Sequence, residues 1–195
     1  MALPWLVPDL FVRLASASPR RLALLQQVGI EPEVTPVHID ETVTPGETAH
    51  EMVTRLARKK AQSGSELDGQ LCLGADTALS FKGQILGKPA DAADAASMLA
   101  ALSGQQHQVI TGVALYRCSD GFQIWRTVTT QVWFKSLTAL EIDAYVVTEE
   151  PLDKAGGYGI QAMGAFLVER IDGSYSNVVG LPLFETLEMF KAIPV

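Results

Sequence analysis

Residues 107–135 read HQVITGVALYRCSDGFQIWRTVTTQVWFK, and this stretch decides the fold. Two long β-type segments, His107–Arg117 and Phe122–Lys135, flank a four-residue turn, Cys118–Gly121. A turn that short joins antiparallel neighbours. Elsewhere, strand-like and helix-like segments alternate, which is the pattern of parallel α/β sheets. An α/β fold with a mixed central sheet flanked by helices meets both requirements.

Upstream of the hairpin, PADAADAASMLAALSG predicts a helix capped by Asp91 and stopped near Gly104. In QLCLGADTALSFKGQIL a buried strand runs into Gly74-Ala75-Asp76, so that Asp76 is expected at a strand end, and Lys82-Gly83 marks a second hairpin turn. Thr48 and Glu51 have capping-box spacing, and Val53, Leu56 and Ala57 then recur with helical period to about Gln62. An acidic loop, DETVTPGE, precedes that helix, and a strand is expected somewhere in Glu33–Ile39. At the start, Leu10–Ser16 reads as a buried strand leading into a helix with Ser18 as N-cap, Pro19 at the first position and Gly29 as terminator. Downstream, Thr138 and Glu141 give another capping box, followed by EEPLDKAGGYGIQAMG, which has too many glycines for a regular element. A strand, AFLVERI, and a helix, LPLFETLEMFKA, complete the chain.

A chain of 195 residues with 48% hydrophobic content can bury a sizeable core. Its net charge of −7, with no long basic run, speaks against a duplex-binding surface. The apolar opening MALPWLVPDLFV lacks a basic n-region, so no signal peptide is expected. No apolar stretch reaches the roughly 20 residues that span a bilayer, which predicts a soluble protein. The two cysteines, Cys72 and Cys118, have no metal-type spacing and read as free thiols of a reducing cytoplasm.

Several charged residues stand at positions where either a ligand or a local structural role would account for them. Arg20 and Arg21 occupy the first turn of a helix, opposing its dipole. Either an anion compensates, phosphate being the best match for guanidinium, or both are solvated or paired with Asp40 or Glu41. Lys60 falls on the same helical face as Val53, Leu56, Ala57 and Ala61, so it snorkels from the core edge or meets a buried carboxylate or phosphate. Arg58 and Lys59 read as outward-facing solvated charges. Asp76, after two small residues, suits a metal ligand, a general base or an Asx-type turn. Asp40, Glu41 and Asp76 offer oxygen ligation of the kind that Mg²⁺ or Mn²⁺ prefers, whereas the scattered His38, His50 and His107 do not suit zinc. The P-loop, GxGxxG and GxSxG signatures are missing, so any phosphate would be held by side-chain cations.

With SASPRR, DE, RLARKKA, GADT, GKP, LSGQQHQVITGVAL, EPLDKAGGYGIQ and VVGLP in this order, the chain resembles the Maf (septum formation) family of nucleotide pyrophosphatases over about residues 12–190. The resemblance implies one Maf-like domain over 1–195, with residues 1–9 an extension that has no counterpart. It also implies a fold similar to the inosine triphosphate pyrophosphatases, two lobes with a deep cleft, and a cytoplasmic homodimer. The implied chemistry is hydrolysis of a nucleoside triphosphate to monophosphate and pyrophosphate. By that analogy Asp76 is the general base; Ser16, Arg20, Arg21, Lys60 and Lys88 bind the polyphosphate; Glu41 with Asp76 holds Mg²⁺ or Mn²⁺. SPRR, GADT and DKAGGYGIQ look like the branch acting on dTTP and UTP, with Arg20, Thr77 and Gln161 at its specificity positions and modified pyrimidine nucleotides as further substrates. The 7-methyl-GTP branch differs there. One departure is Ala162, where the branch typically has glycine. The family's name also implies a different role, a nucleotide-sensing module in cell division with little catalysis.

Overall fold

The computed structural model describes residues 11–65 and 70–194; the N-terminal extension, residues 1–9, lies outside them. The described chain holds seven strands: β1 (Arg13–Leu14), β2 (Glu33–Val34), β3 (Cys72–Phe81), β4 (Gln84–Leu86), β5 (Gln106–Arg117), β6 (Phe122–Phe134) and β7 (Val168–Asp172). Its helices are α1 (Pro19–Gln27), α2 (Ala49–Ser65), α3 (Ala92–Leu102), α4 (Ala139–Val146), α5 (Tyr175–Val179) and α6 (Leu183–Lys191). The strands form one sheet in the order β2-β1-β3-β5-β6-β7, with β4 paired to β3. β1 is parallel to β2 and β3, whereas β4 is antiparallel to β3 and β7 to β6, so the expected mixed sheet is observed.

The chain divides into two compact units. One contains residues up to Asp76, Thr111–Val128 and Gly180 onward; the other contains Thr77–Ile110 and Thr129–Val179. In the first, α1 is capped as its sequence predicts: Ser18 Oγ accepts the Arg21 N–H at 3.4 Å, Pro19 occupies the first turn, and Gly29 ends the helix at φ +78°. The capping box of α2 is also formed, the Thr48 N–H donating to Glu51 Oε2 at 2.9 Å and the Glu51 N–H to Thr48 Oγ1 at 3.3 Å. α2 buries Met52, Val53, Leu56, Ala57, Lys60 and Ala61.

Two glycines set how closely α2 packs on the strands. A Cβ at Gly74 on β3 would lie 2.3 Å from the Ala57 carbonyl oxygen, and one at Gly112 on β5 would lie 2.3 Å from that of Val53. Only a residue without a side chain fits at either point.

In the second unit, Leu79, Leu99, Leu102, Phe134, Ile142, Tyr145 and Leu167 form a continuous apolar core. His107 is buried within it, its ring edge-on to Phe134 and Tyr158, and its Nε2 lies 2.7 Å from Tyr158 Oη.

The structure corrects several boundaries. β1 has regular pairing only at Arg13–Leu14, not over the whole of Leu10–Ser16. Asp76 is not at a strand end: β3 continues through it to Phe81, because Gly74 marks the close approach of α2 rather than a turn. The glycine-rich stretch at 149–164 contains short 3₁₀ turns at Glu150–Asp153 and Ala155–Gly157, and a third, Ala162–Leu167, delays β7 until Val168. The short helix α5 had no signal strong enough to predict.

Candidate active site

At the β1–α1 junction Ser16 is buried, and its Oγ accepts the Ser18 N–H at 3.2 Å and Arg21 Nη1–H at 3.0 Å. Both of its lone pairs are thus engaged, leaving the hydroxyl proton to donate. Arg21 Nε donates to the Gly180 carbonyl at 2.9 Å. Burial pulls the Arg21 guanidinium below its usual range, and neighbouring Arg20 adds to this, while Asp76 and Glu41 oppose it. No acidic residue stands in the first turn of α1, so Arg20 and Arg21 add their charge to a helix end that is already positive.

Lys60 resolves the choice left open by its position. Its ammonium does not snorkel outward; Nζ lies 2.7 Å from Asp76 Oδ1 and 2.7 Å from Glu41 Oε1. Lys60 and Asp76 are buried, while the Glu41 side chain, on the loop before α2, remains 57% exposed. Of the three ammonium donors, two are directed at carboxylates and one remains. Burial raises the Asp76 carboxyl above the usual carboxylate range, against the pull of Lys60 and Arg21. Five of the predicted residues, Ser16, Arg21, Glu41, Lys60 and Asp76, are therefore electrostatically and sterically linked within one unit.

The carboxylate pair, Glu41 and Asp76 about one ammonium, is of the kind that suits a hard divalent cation. Such ions are held by one or two carboxylates, with phosphates and water completing the shell. Among the described residues no group of three or more His, Cys, Asp and Glu could form an all-protein metal cage. His38 and His50 are exposed, and His107 is buried in the other unit.

Thr77, Lys88 and Gln161 belong to the second unit. Thr77 follows Asp76 on β3, half-buried, its side chain on the opposite face of the strand. Lys88 is exposed just beyond β4, and Gln161 is exposed immediately before the third 3₁₀ turn. Ala162 has φ +52°, in the left-handed region that glycine tolerates best.

Two features escaped the sequence reading. Arg58 is not simply solvated: its guanidinium lies 4.1 Å from the Trp125 ring centroid. Glu150 gathers the Tyr145 hydroxyl at 2.9 Å and the Met163 and Gly164 N–H groups at 3.2 Å, tying down the segment that carries Gln161. Long-range pairs of this kind leave no periodic trace in a sequence.

The family model described as "Maf-like protein" matches residues 12–193. A dTTP/UTP pyrophosphatase of Anaeromyxobacter sp. (strain Fw109-5) is 50% identical over 181 residues, covering 91% of this chain and 87% of the relative. Another, from Geobacter sulfurreducens, is 52% identical over 182 residues, covering 92% and 95%. Among solved structures, the Staphylococcus aureus Ham1 protein is similar at a TM-score of 0.48 and 14% identity, covering 80% of this chain and 79% of that one.

Proposed function

Because the chain belongs to the Maf-like protein family, we propose that it is a nucleoside triphosphate pyrophosphatase acting on dTTP and UTP. The observation that carries the reading is Lys60, a buried lysine joined at 2.7 Å to both Asp76 and Glu41. A fold has little reason to bury the Lys60–Asp76 pair for stability alone, since apolar residues of similar volume would serve as well.

The reaction adds water across the α–β phosphoanhydride bond and yields a nucleoside monophosphate and pyrophosphate. Asp76 takes the proton from the attacking water, and its raised pKa brings it closer to the range in which a carboxylate is an effective base. The third donor of Lys60, the Ser16 hydroxyl proton, Arg20 and Arg21 face the negative charge of the polyphosphate, with Lys88 as a further cation. Phosphoryl transfer depends mainly on such positioning and charge stabilisation. Glu41 and Asp76 would hold a Mg²⁺ or Mn²⁺ ion, which supplies further neutralisation of the phosphate oxygens. Gln161 offers a donor and an acceptor to a pyrimidine edge, with Arg20 and Thr77 completing the selection. On this reading the enzyme works in the cytoplasm as a homodimer. No helix of the described residues is long and apolar enough to cross a membrane.

Product analysis tests the proposal, with purified protein, Mg²⁺ or Mn²⁺, canonical nucleotides, modified pyrimidine nucleotides and 7-methyl-GTP. Pyrophosphate is expected from dTTP and UTP and is lost in Asp76→Asn. Orthophosphate as product would move the protein to another class of triphosphatase. Tight nucleotide binding without turnover would favour the sensing role in cell division.

A further inference from the structure

Glu41 sits on a loop, residues 35–48, that forms neither helix nor strand, yet its carboxylate meets the buried Lys60 ammonium at 2.7 Å. Something must fix that loop. The fixing contacts come from α2, one and a half turns before Lys60. Arg55 Nε donates to Glu47 Oε1 at 2.6 Å and Arg55 Nη2 to Glu47 Oε2 at 2.7 Å, a two-pronged pair. The same Nη2 donates to the Thr42 carbonyl at 3.1 Å, and Glu47 Oε2 also accepts the Thr44 N–H at 3.0 Å. On the other side of Thr42, its N–H donates to Asp40 Oδ1 at 2.9 Å. The residue that follows Glu41 is thus held through both its N–H and its carbonyl. The Glu47 side chain is only 8% exposed, so the pair is not a loose surface contact. Arg55 holds the Glu47 carboxyl far down, at about 2, and it stays charged across the physiological range.

We propose that Arg55, with Glu47, is a positioning residue that clamps the loop onto α2 and so sets Glu41 against Lys60 and Asp76. The proposal rests on the reading of Glu41 and Asp76 as the holders of a divalent cation. Arg55 touches none of the three; it acts by fixing the peptide next to Glu41. A lysine cannot take its place, since a single ammonium spans neither both Glu47 oxygens nor the Thr42 carbonyl in a fixed plane.

The test titrates Mn²⁺ by electron paramagnetic resonance into the full-length protein in the presence of an α,β-methylene analogue of dTTP. Wild type, Arg55→Gln, Arg55→Lys, Glu47→Gln, Glu41→Gln and the double variant Arg55→Gln/Glu41→Gln are compared, with melting temperature measured for each. Arg55→Gln and Glu47→Gln are expected to weaken Mn²⁺ binding about tenfold while melting near wild type, and Arg55→Lys is expected not to rescue. In the Glu41→Gln background, Arg55→Gln should add less than a twofold change, because its effect passes through Glu41. Unaltered Mn²⁺ affinity in Arg55→Gln and Glu47→Gln, or an Arg55 effect that multiplies fully with that of Glu41→Gln, overturns the clamp. A wild type that binds Mn²⁺ with the analogue but hydrolyses no nucleotide refutes the proposed activity and leaves the clamp to be judged by the same titration.

Discussion

Replacing Gly74 by alanine probes the packing that places Lys60 beside Asp76. The added Cβ would lie 2.3 Å from the Ala57 carbonyl oxygen, 2.4 Å from the Ala61 nitrogen and 3.0 Å from Lys60 Cβ. The first two obstacles are helix backbone and cannot rotate away. Ordinary contact begins near 3.4 Å, so α2 must retreat from β3 by about 1 Å. Gly74 and Asp76 share one face of the strand, and Lys60 is on the helix being displaced. The 2.7 Å contact between Lys60 and Asp76 therefore stretches towards 3.7 Å, past hydrogen-bond range. Overpacking of a core costs about 1–3 kcal/mol, and rigid backbone obstacles favour the upper end. In a chain of this size that lowers the melting temperature by about 6–12 °C. A 1 Å misplacement at a reacting centre can cost about 100-fold in rate. The assay pairs thermal melting with pyrophosphate release from dTTP below the melting transition, using Gly87→Ala, where a Cβ meets open space, as the control. Wild-type melting and turnover in Gly74→Ala would refute the account of α2 packing.

Three further outcomes are expected. Lys60→Met leaves Asp76 buried without its closest cation, a loss of about 3 kcal/mol at neutral pH. Because the Asp76 pKa then rises further, the deficit should grow as pH climbs through its ionisation and shrink in acid, and the double variant Lys60→Met/Asp76→Asn should recover part of it. His107, held neutral by burial, titrates at about 4 instead of 6.5. The unfolded chain then binds the extra proton first as pH falls, so the stability tied to His107 is complete above pH 6.5 and drains away towards pH 4. His107→Gln should flatten the melting profile in the upper half of that window, above the range where the carboxylates titrate. Ala162→Gly should raise the melting temperature, relieving about 1 kcal/mol of left-handed strain at φ +52°; no gain would mean the segment adapts to alanine without strain.

Local signals carried most of the fold. Ser18, Thr48, Asp91 and Thr138 each cap the helix that their spacing predicts, and the Cys118–Gly121 turn joins β5 and β6 as expected. Lys60 was visible because a charge on an apolar helical face contradicts its neighbours. What failed was the meaning of Gly74. A glycine in a strand signals a break, a bulge or a close approach with equal force, and only the helix across from it shows which applies. Arg55 and Glu47, eight residues apart, were equally silent: one sits on a regular helix, the other in a loop, and nothing local to either foretells a two-pronged pair.

Asp76 is carried in mid-strand, whereas Glu41 is carried on a loop, and this divides the site by timescale. Amide protons along β3 can exchange with solvent only when the sheet opens, an event that draws on most of the molecule's stability. Those of residues 36–48 are guarded by one local turn and a handful of side-chain contacts and should exchange orders of magnitude faster. The half that carries Asp76 is then held by the sheet, and the half that carries Glu41 can breathe. Deuterium uptake mapped along the chain, with and without nucleotide, would show the second half slowing while the first stays unchanged.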